Sequence, residues 1–255
     1  MKFPSFRLTW LATALVLAAL AAPLSACADP NTLWKIVHGS CAPGEAAKGD
    51  PSPCLAVDLK GGFAVLKDRN GATQVLLIPT DRVTGIEDPA VVAPAAPNYF
   101  EDAWRERHFV NALAGQVIVR DELSLAVNSM YGRSQNQLHI HVDCIRPDVR
   151  AALKANLEHI GPAWAPIDVG VSGRSYEAMR LAGEDLAGRN PFRLLAEGDP
   201  AARAGMGLET LFAWPTTFAD GAPGFVLLAD RASPGDAGSA EELQDHACKV
   251  LQSAG

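Results

Sequence analysis

The stretch Gln137-Leu138-His139-Ile140-His141-Val142-Asp143 alternates polar and apolar residues without a break. On an extended strand alternate side chains share a face. Gln137, His139, His141 and Asp143 would therefore point one way, and Leu138, Ile140 and Val142 into a core. Two imidazoles on one strand face admit three readings. The face could simply meet solvent, a His-x-His pair could chelate a metal, or one histidine could be a nucleophile aligned by its neighbours. A neutral imidazole, titrating near 6.5, offers a lone pair at neutral pH. Arg133 and Arg146 flank the stretch as candidates for the negative charge of a substrate.

Positioning that face requires a sheet. The histidine strand is predicted over 137–145, after a strand over 123–128 and a polar turn over 129–136. Upstream, 62–68 and 74–79 read as a hairpin around Arg69-Asn70-Gly71, because Asn-Gly between two β-prone runs tolerates positive φ. Pro79 removes an amide donor and closes the second strand. Around this sheet the spacing predicts a short helix over 31–38 capped by Asn31, a surface loop over 87–97 and an amphipathic helix over 98–114 carrying Phe100, Trp104 and Phe109. Pro147 opens a further helix over 148–159. Beyond 160, helices are predicted over 175–186 and 240–251 and a strand over 225–229, while 191–195 is ambiguous. The apolar stretch 208–218 could line a lipid site or be ordinary core. No internal repeat is visible. A sheet with separate helices makes this an α+β protein.

The chain has 255 residues and a formal net charge of -7. Residues 8–28 carry no charge and follow Lys2 and Arg7, the pattern of a secretory signal. Cleavage behind Ala26-Cys27-Ala28, lipidation at Cys27 within Leu24-Ser25-Ala26-Cys27, and an uncleaved membrane anchor are three fates the stretch allows. Each sends residues 29–255 outside the cytosol, as one domain. Losing Lys2 and Arg7 leaves that domain at -9, which disfavours nucleic acid as a partner. Beyond Cys27 four cysteines remain, an even number suited to an oxidising compartment. Of the three possible pairings, Cys41–Cys54 is the first choice, since those two flank a polar loop, and it leaves Cys144 with Cys248. Free thiols are the alternative. No C-x-x-C pair exists to suggest zinc.

Gln137-Leu138-His139-Ile140-His141-Val142 resembles the histidine triad motif, three alternating histidines separated by apolar residues, with glutamine in the first slot. Gly132 and Ser134 match the Gly-x-Ser that precedes that motif and helps hold a phosphate. Asp68 matches an acidic residue that ends the first hairpin strand and contacts a ribose. More narrowly, the order of segments is similar to bacterial CDP-diacylglycerol pyrophosphatases. The likeness lies in LWKIV near the start, VLKD-x-NG, GR-x-QN, HIH and CIRPDVR up to Arg150, and it recurs at 244–248.

The resemblance implies a histidine-triad-like antiparallel sheet with packed helices and a C-terminal extension. It implies hydrolysis of CDP-diacylglycerol to CMP and phosphatidate, with no cofactor or metal, at the periplasmic side of the inner membrane. In the preferred register His139 is the nucleophile, and His141 and Gln137 contact non-bridging oxygens. Ser134 and Gly132 assist at the phosphate, Asn128 orients His139 or the phosphate, and Asp68 meets the ribose. The other register, His139-His141-Asp143, would make His141 the nucleophile. Rival expectations are a nucleotide hydrolase or phosphoramidase acting on soluble substrates, and an inactive exported binding lipoprotein.

Overall fold

The computed structural model describes Met1 and residues 29–171 and 173–252. The expectations about residues 8–28 and Cys27 fall outside them. Among the described residues no helix is long and apolar enough to cross a membrane.

Among the described residues, one antiparallel sheet of nine strands organises the fold. Its strands are β1 (Ala56–Asp58), β2 (Phe63–Lys67), β3 (Val75–Pro79), β4 (Leu123–Val127), β5 (Ile140–Cys144), β6 (Ala165–Ile167), β7 (Tyr176–Ala182), β8 (Leu211–Thr217) and β9 (Pro223–Ala229). They lie in the order β1-β2-β3-β5-β4-β8-β9-β7-β6. The helices are α1 (Thr32–Ile36), α2 (Ala42–Lys48), α3 (Tyr99–Arg105), α4 (His108–Ala114), α5 (Pro147–Asn156), α6 (Pro191–Gly198) and α7 (Pro200–Ala204). The α+β class and the antiparallel sheet therefore hold.

This order contains a repeat that the amino-acid pattern conceals. A strand pair, two helices and a second strand pair run β2-β3-α3-α4-β4-β5, then again β6-β7-α6-α7-β8-β9. The two units lie head to head across the β4–β8 pairing, where Ala126 faces Phe212. The C-terminal extension is thus a second copy of the same topology in one continuous sheet.

One face of the sheet is apolar throughout. Val65, Leu77, Leu125, Ile140, Val142, Phe225 and Leu227 pack there with Phe100 and Trp104 of α3 and Phe192 of α6. The opposite face differs between the units. In the second, Phe212, Trp214, Val226 and Leu228 pack with Val149 and Leu153 of α5. In the first, Leu66, Leu76 and Ile78 pack with Leu33 and Val37, and the remainder of that face carries the histidines. The bridges Cys41–Cys54 and Cys144–Cys248 are both formed, as the spacing suggested.

Several elements depart from expectation. The short helix continues through a π turn (Val37–Cys41) into α2, so the segment between Cys41 and Cys54 is partly helical. Asn31 does not cap α1: its Oδ1 accepts from Arg82 instead. The helix expected over 98–114 breaks at Glu106 into α3, capped by the Asn98 side chain, and α4. Residues 175–186 are rich in helix formers, yet 176–182 form β7, because pairing with β9 from Glu177↔Ala229 to Ala182↔Gly224 overrides propensity. The ambiguous 191–195 lies in α6, whose first turn the Asn190 side chain caps. The 208–218 stretch contains β8, whose residues Leu211 to Trp214 are essentially inaccessible core, while Leu208 lines a surface pocket with Tyr131 and Ala232.

The final helix also fails to form. Only short 3-10 turns occur, at Ala240–Leu243 and Lys249–Gln252. The chain between them is bound sideways to the sheet, with Ile145 bridging Gln244 and the Gln244 amide donating to the carbonyls of Ser124 and His141. The Asp245 side chain accepts from the Ala247 and Lys249 amides.

Candidate active site

The site is built where β2, β3 and β5 meet the C-terminal segment. β5 begins at Ile140 rather than 137, since the Leu138 amide donates to Val83 O and never enters the ladder. The alternation still holds: Leu138, Ile140 and Val142 lie in the core, while His139, His141 and Asp143 share the other face. That face does not meet solvent. His139 is 9% exposed, His141 4% and Asp143 0%, so the solvent-facing reading fails.

His139 Nδ1 lies 2.7 Å from Gln137 O. A carbonyl only accepts, so Nδ1 carries the proton and the lone pair sits on Nε2. Burial holds the His139 pKa below the usual histidine value, although the Gln137 bond works against it. The imidazole is therefore neutral at pH 7. His141 lies beside it, ring centroids 4.9 Å apart. Gln74 Nε2 reaches both His141 Nδ1 (2.9 Å) and Glu241 Oε1 (3.3 Å). A flipped amide would set its oxygen against the carboxylate, so Gln74 donates and His141 carries its proton on Nε2. That Nε2 is buried without a hydrogen-bond partner, 3.5 Å from Glu241 Oε2. Burial, then the neighbouring His139 and His246, hold His141 well below the ordinary range.

His139 and His141 line a cleft of about 300 Å³ with Asp68, Arg69, Ser134 and Glu241. Its apolar wall is Leu33 and Ile36 of α1 with Leu66 and Leu76, and the Cys41–Cys54 bridge braces that helix from behind. Asp68 directly follows β2 and accepts from the Asn70 amide, shaping the loop (2.8 Å). Of the loop's Asn-Gly pair only Gly71 takes positive φ (66°). A Cβ there would lie 2.9 Å from the His246 backbone oxygen, so glycine admits the C-terminal segment. Arg69 is exposed at the rim with no partner among the described residues.

The remaining expected residues lie elsewhere. Gln137 does not line the cleft: its amide nitrogen donates to Pro79 O (3.0 Å) and Asp81 O (2.8 Å), anchoring the strand entrance to the end of β3. Gly132 packs against the C-terminal segment, where a Cβ would stand 2.2 Å from Gly238 O. Asn128 grips the same segment: Oδ1 accepts from the Ser239 hydroxyl and the Glu241 amide, and Nδ2 donates to Glu241 Oε2 (3.2 Å). Arg133 is paired bidentately with Glu87, and Arg146 with Asp148 and Glu242 O. Neither arginine is free for an anionic ligand.

Two groups absent from the expected set complete the site. Glu241 reaches it from the C-terminal segment. His246 donates through Nδ1 to Asp143 Oδ2 (2.9 Å), and its Nε2 lies 3.4 Å from Glu241 Oε1. The Asp143 bond raises the His246 pKa above the ordinary value. Asp143 Oδ1 accepts from the Thr73 hydroxyl, so this carboxylate is fully engaged and does not face the cleft. Asp68, His141 and Glu241 offer donor atoms within 4.8 Å of one another, a spacing that suits a cation. In the tautomer that the Gln74 contact favours, His141 turns an N–H toward that space. The arrangement provides a neutral imidazole nitrogen with its lone pair free, an adjacent unspent N–H and a carboxylate, all lining one cleft.

A family model described as CDP-diacylglycerol pyrophosphatase matches residues 28–252. A protein of Yersinia pestis named CDP-diacylglycerol pyrophosphatase is 43% identical over 247 residues, covering 95% of this chain and 94% of that protein.

Proposed function

This chain belongs to the CDP-diacylglycerol pyrophosphatase family, and we propose that it performs that hydrolysis by double displacement at His139. The single observation that carries the mechanism is the bond from His139 Nδ1 to Gln137 O, which leaves the Nε2 lone pair free on a ring that lines the cleft. Nε2 attacks the phosphorus bearing the cytidine, and the P–O bond to phosphatidate breaks. Phosphatidate leaves as a stable anion, so little general-acid assistance is needed. The His139–phosphorus bond retains Nδ1–H, making the ring a cationic imidazolium and a good leaving group. Water then displaces it and CMP departs. His141 Nε2–H, buried and unpartnered, supports a role as donor to a non-bridging oxygen as charge redistributes. Ser134 and Asp68 line the same cleft, consistent with phosphate and ribose contacts. Gln137 acts by positioning, since its amide nitrogen is already committed.

We further infer that the uncharged segment 8–28 delivers the domain to the inner membrane, periplasmic side, where a diacyl substrate resides. Intact mass of the mature protein distinguishes cleavage from lipidation at Cys27.

His139→Asn is expected to abolish CMP release from CDP-diacylglycerol in liposomes while leaving the urea midpoint unchanged. Wild-type turnover by that variant would overturn the mechanism. So would loss of wild-type activity in EDTA that zinc restores. Turnover of soluble CDP-alcohols in preference to the lipid would point to the nucleotide-hydrolase reading instead.

A further inference from the structure

The covalent scheme leaves one step without an assigned group. Water attacking a cytidylylated histidine must lose a proton, and neither His139, which is the leaving group, nor His141, already protonated toward the cleft, can take it. Of the two carboxylates lining the cleft, Asp68 is bound to the Asn70 amide in its own loop. Glu241 is held differently. Its Oε2 accepts from Asn128 Nδ2 at 3.2 Å and lies 3.5 Å from His141 Nε2. Its Oε1 accepts from Gln74 at 3.3 Å and lies 3.4 Å from His246 Nε2. Four side chains, from the residue before β3, the residue after β4, β5 and the C-terminal segment, thus converge on one carboxylate in the cleft that His139 lines.

We propose that Glu241 is the general base that deprotonates the water hydrolysing the cytidylyl-His139 intermediate, with His246, braced by Asp143, holding it in position. The inference rests on the covalent reading of His139. In the step, the water oxygen bonds to phosphorus and its proton passes to Glu241. The phosphorus–Nε2 bond breaks and its electron pair returns to the imidazole. The water enters where phosphatidate departed, opposite His139, which is the side a second displacement requires. His246 supports this role because Nδ1–H is spent on the buried Asp143. Nε2 then faces the Glu241 carboxylate, 3.4 Å from Oε1, and fixes its orientation from the side away from His141 Nε2.

The test follows both half-reactions in the full-length protein with CDP-diacylglycerol in detergent micelles. Rapid quench reads phosphatidate and CMP, and intact mass reads the cytidylyl adduct. Glu241→Gln is expected to release one equivalent of phosphatidate in a burst, within about tenfold of the wild-type rate. Steady-state CMP release should then fall about 10²–10⁴-fold, the usual worth of a general base, as adduct accumulates. Azide, a nucleophile with no proton to lose, is expected to restore turnover in Glu241→Gln by forming cytidylyl azide, and not in His139→Asn. A merely structural loss would not be rescued in this way, and Glu241→Ala provides the same readout should glutamine disturb the Asn128 and His246 contacts. Phosphatidate and CMP slowing together without adduct, or an adduct that clears at the wild-type rate, would overturn the role of Glu241. Absence of adduct in every variant combined with turnover by His139→Asn would instead overturn the covalent reading itself.

Discussion

Replacing the Cys144–Cys248 bridge by two serines should separate what holds the fold from what holds the site. The bridge closes a loop with a sequence separation of 104, against 13 for Cys41–Cys54. In the chain-entropy treatment such a loop contributes about 4.7 kcal/mol and the short one about 3 kcal/mol, because cross-linking removes conformations from the unfolded chain. For a domain of this size, 1 kcal/mol moves the thermal midpoint by roughly 2–4 °C, so the long bridge is worth roughly 10–20 °C. The C-terminal segment that bears Glu241 is nevertheless attached upstream of the cysteine. Gln244 bonds Ser124 and His141, Asn128 bonds Ser239 and Glu241, and Arg174 pairs with Asp230, Asp236 and Glu242. Each neutral hydrogen bond is worth about 1 kcal/mol net, and together they should keep the segment docked well below the melting transition. Calorimetry should therefore show the lower midpoint, while CMP release at 25 °C falls less than about tenfold. An unchanged midpoint would refute the loop-closure argument. Abolished turnover in a folded double mutant would refute the claim that side-chain latches, rather than the disulfide, seat Glu241.

The acid limb of kcat/KM should lie below 6.5, because burial depresses His139 and protonation removes its nucleophilic lone pair; a limb centred above 6.5 would contradict the assignment. Stability should follow a related sign. His139 and His141 stay neutral when folded but bind protons near 6.5 when unfolded, so the urea midpoint should drop as pH falls below 6.5 toward their folded values. His246 has the opposite sign, its contribution being present below 6.5 and lost as pH rises through its raised value. Gln137→Ala should cost about 1–3 kcal/mol in chemical denaturation through the lost buried bonds to Pro79 O and Asp81 O, with kcat lowered more than KM is raised. A dominant KM effect would restore Gln137 to direct phosphate contact.

What was legible in the sequence was local. The alternation around His139 marks its own two faces because the period of a strand is two, and the 62–79 hairpin announces itself through Asn-Gly and Pro79. Asp68, Ser134, His139 and His141 accordingly meet in one cleft. Glu241 and His246 carried no such signal. They lie about a hundred residues from β5 in a segment whose spacing reads as helix, and only long-range bonds at Gln244 and Asp245 draw it out along the sheet. Gly71 was visible through its positive φ, but that Gly71 and Gly132 also admit the C-terminal segment, and that Asn128 grips it, carried no local signal. Residues 175–186 misled because Ala, Glu, Met and Leu favour helix locally, and nothing near them announces pairing with β9.

The repeated topology explains why so much of the site comes from the C-terminus. In the second unit the face corresponding to the histidines is closed by apolar matter: Val226 and Leu228 of β9 meet Val149 and Leu153 of α5, and burial alone stabilises them. The first unit carries His141 and Asp143 in the same phase on β5, with His139 just ahead of it. Burying these groups is unfavourable unless each is hydrogen-bonded, and a helix with an apolar stripe could not serve. An irregular segment can. It brings His246 to Asp143, and Glu241 with Gln244 to His141 and its carbonyl, satisfying the polar face while leaving Nε2 of both His139 and His141 unspent. The cover that makes a polar strand face affordable is, on this reasoning, the same element that supplies the base.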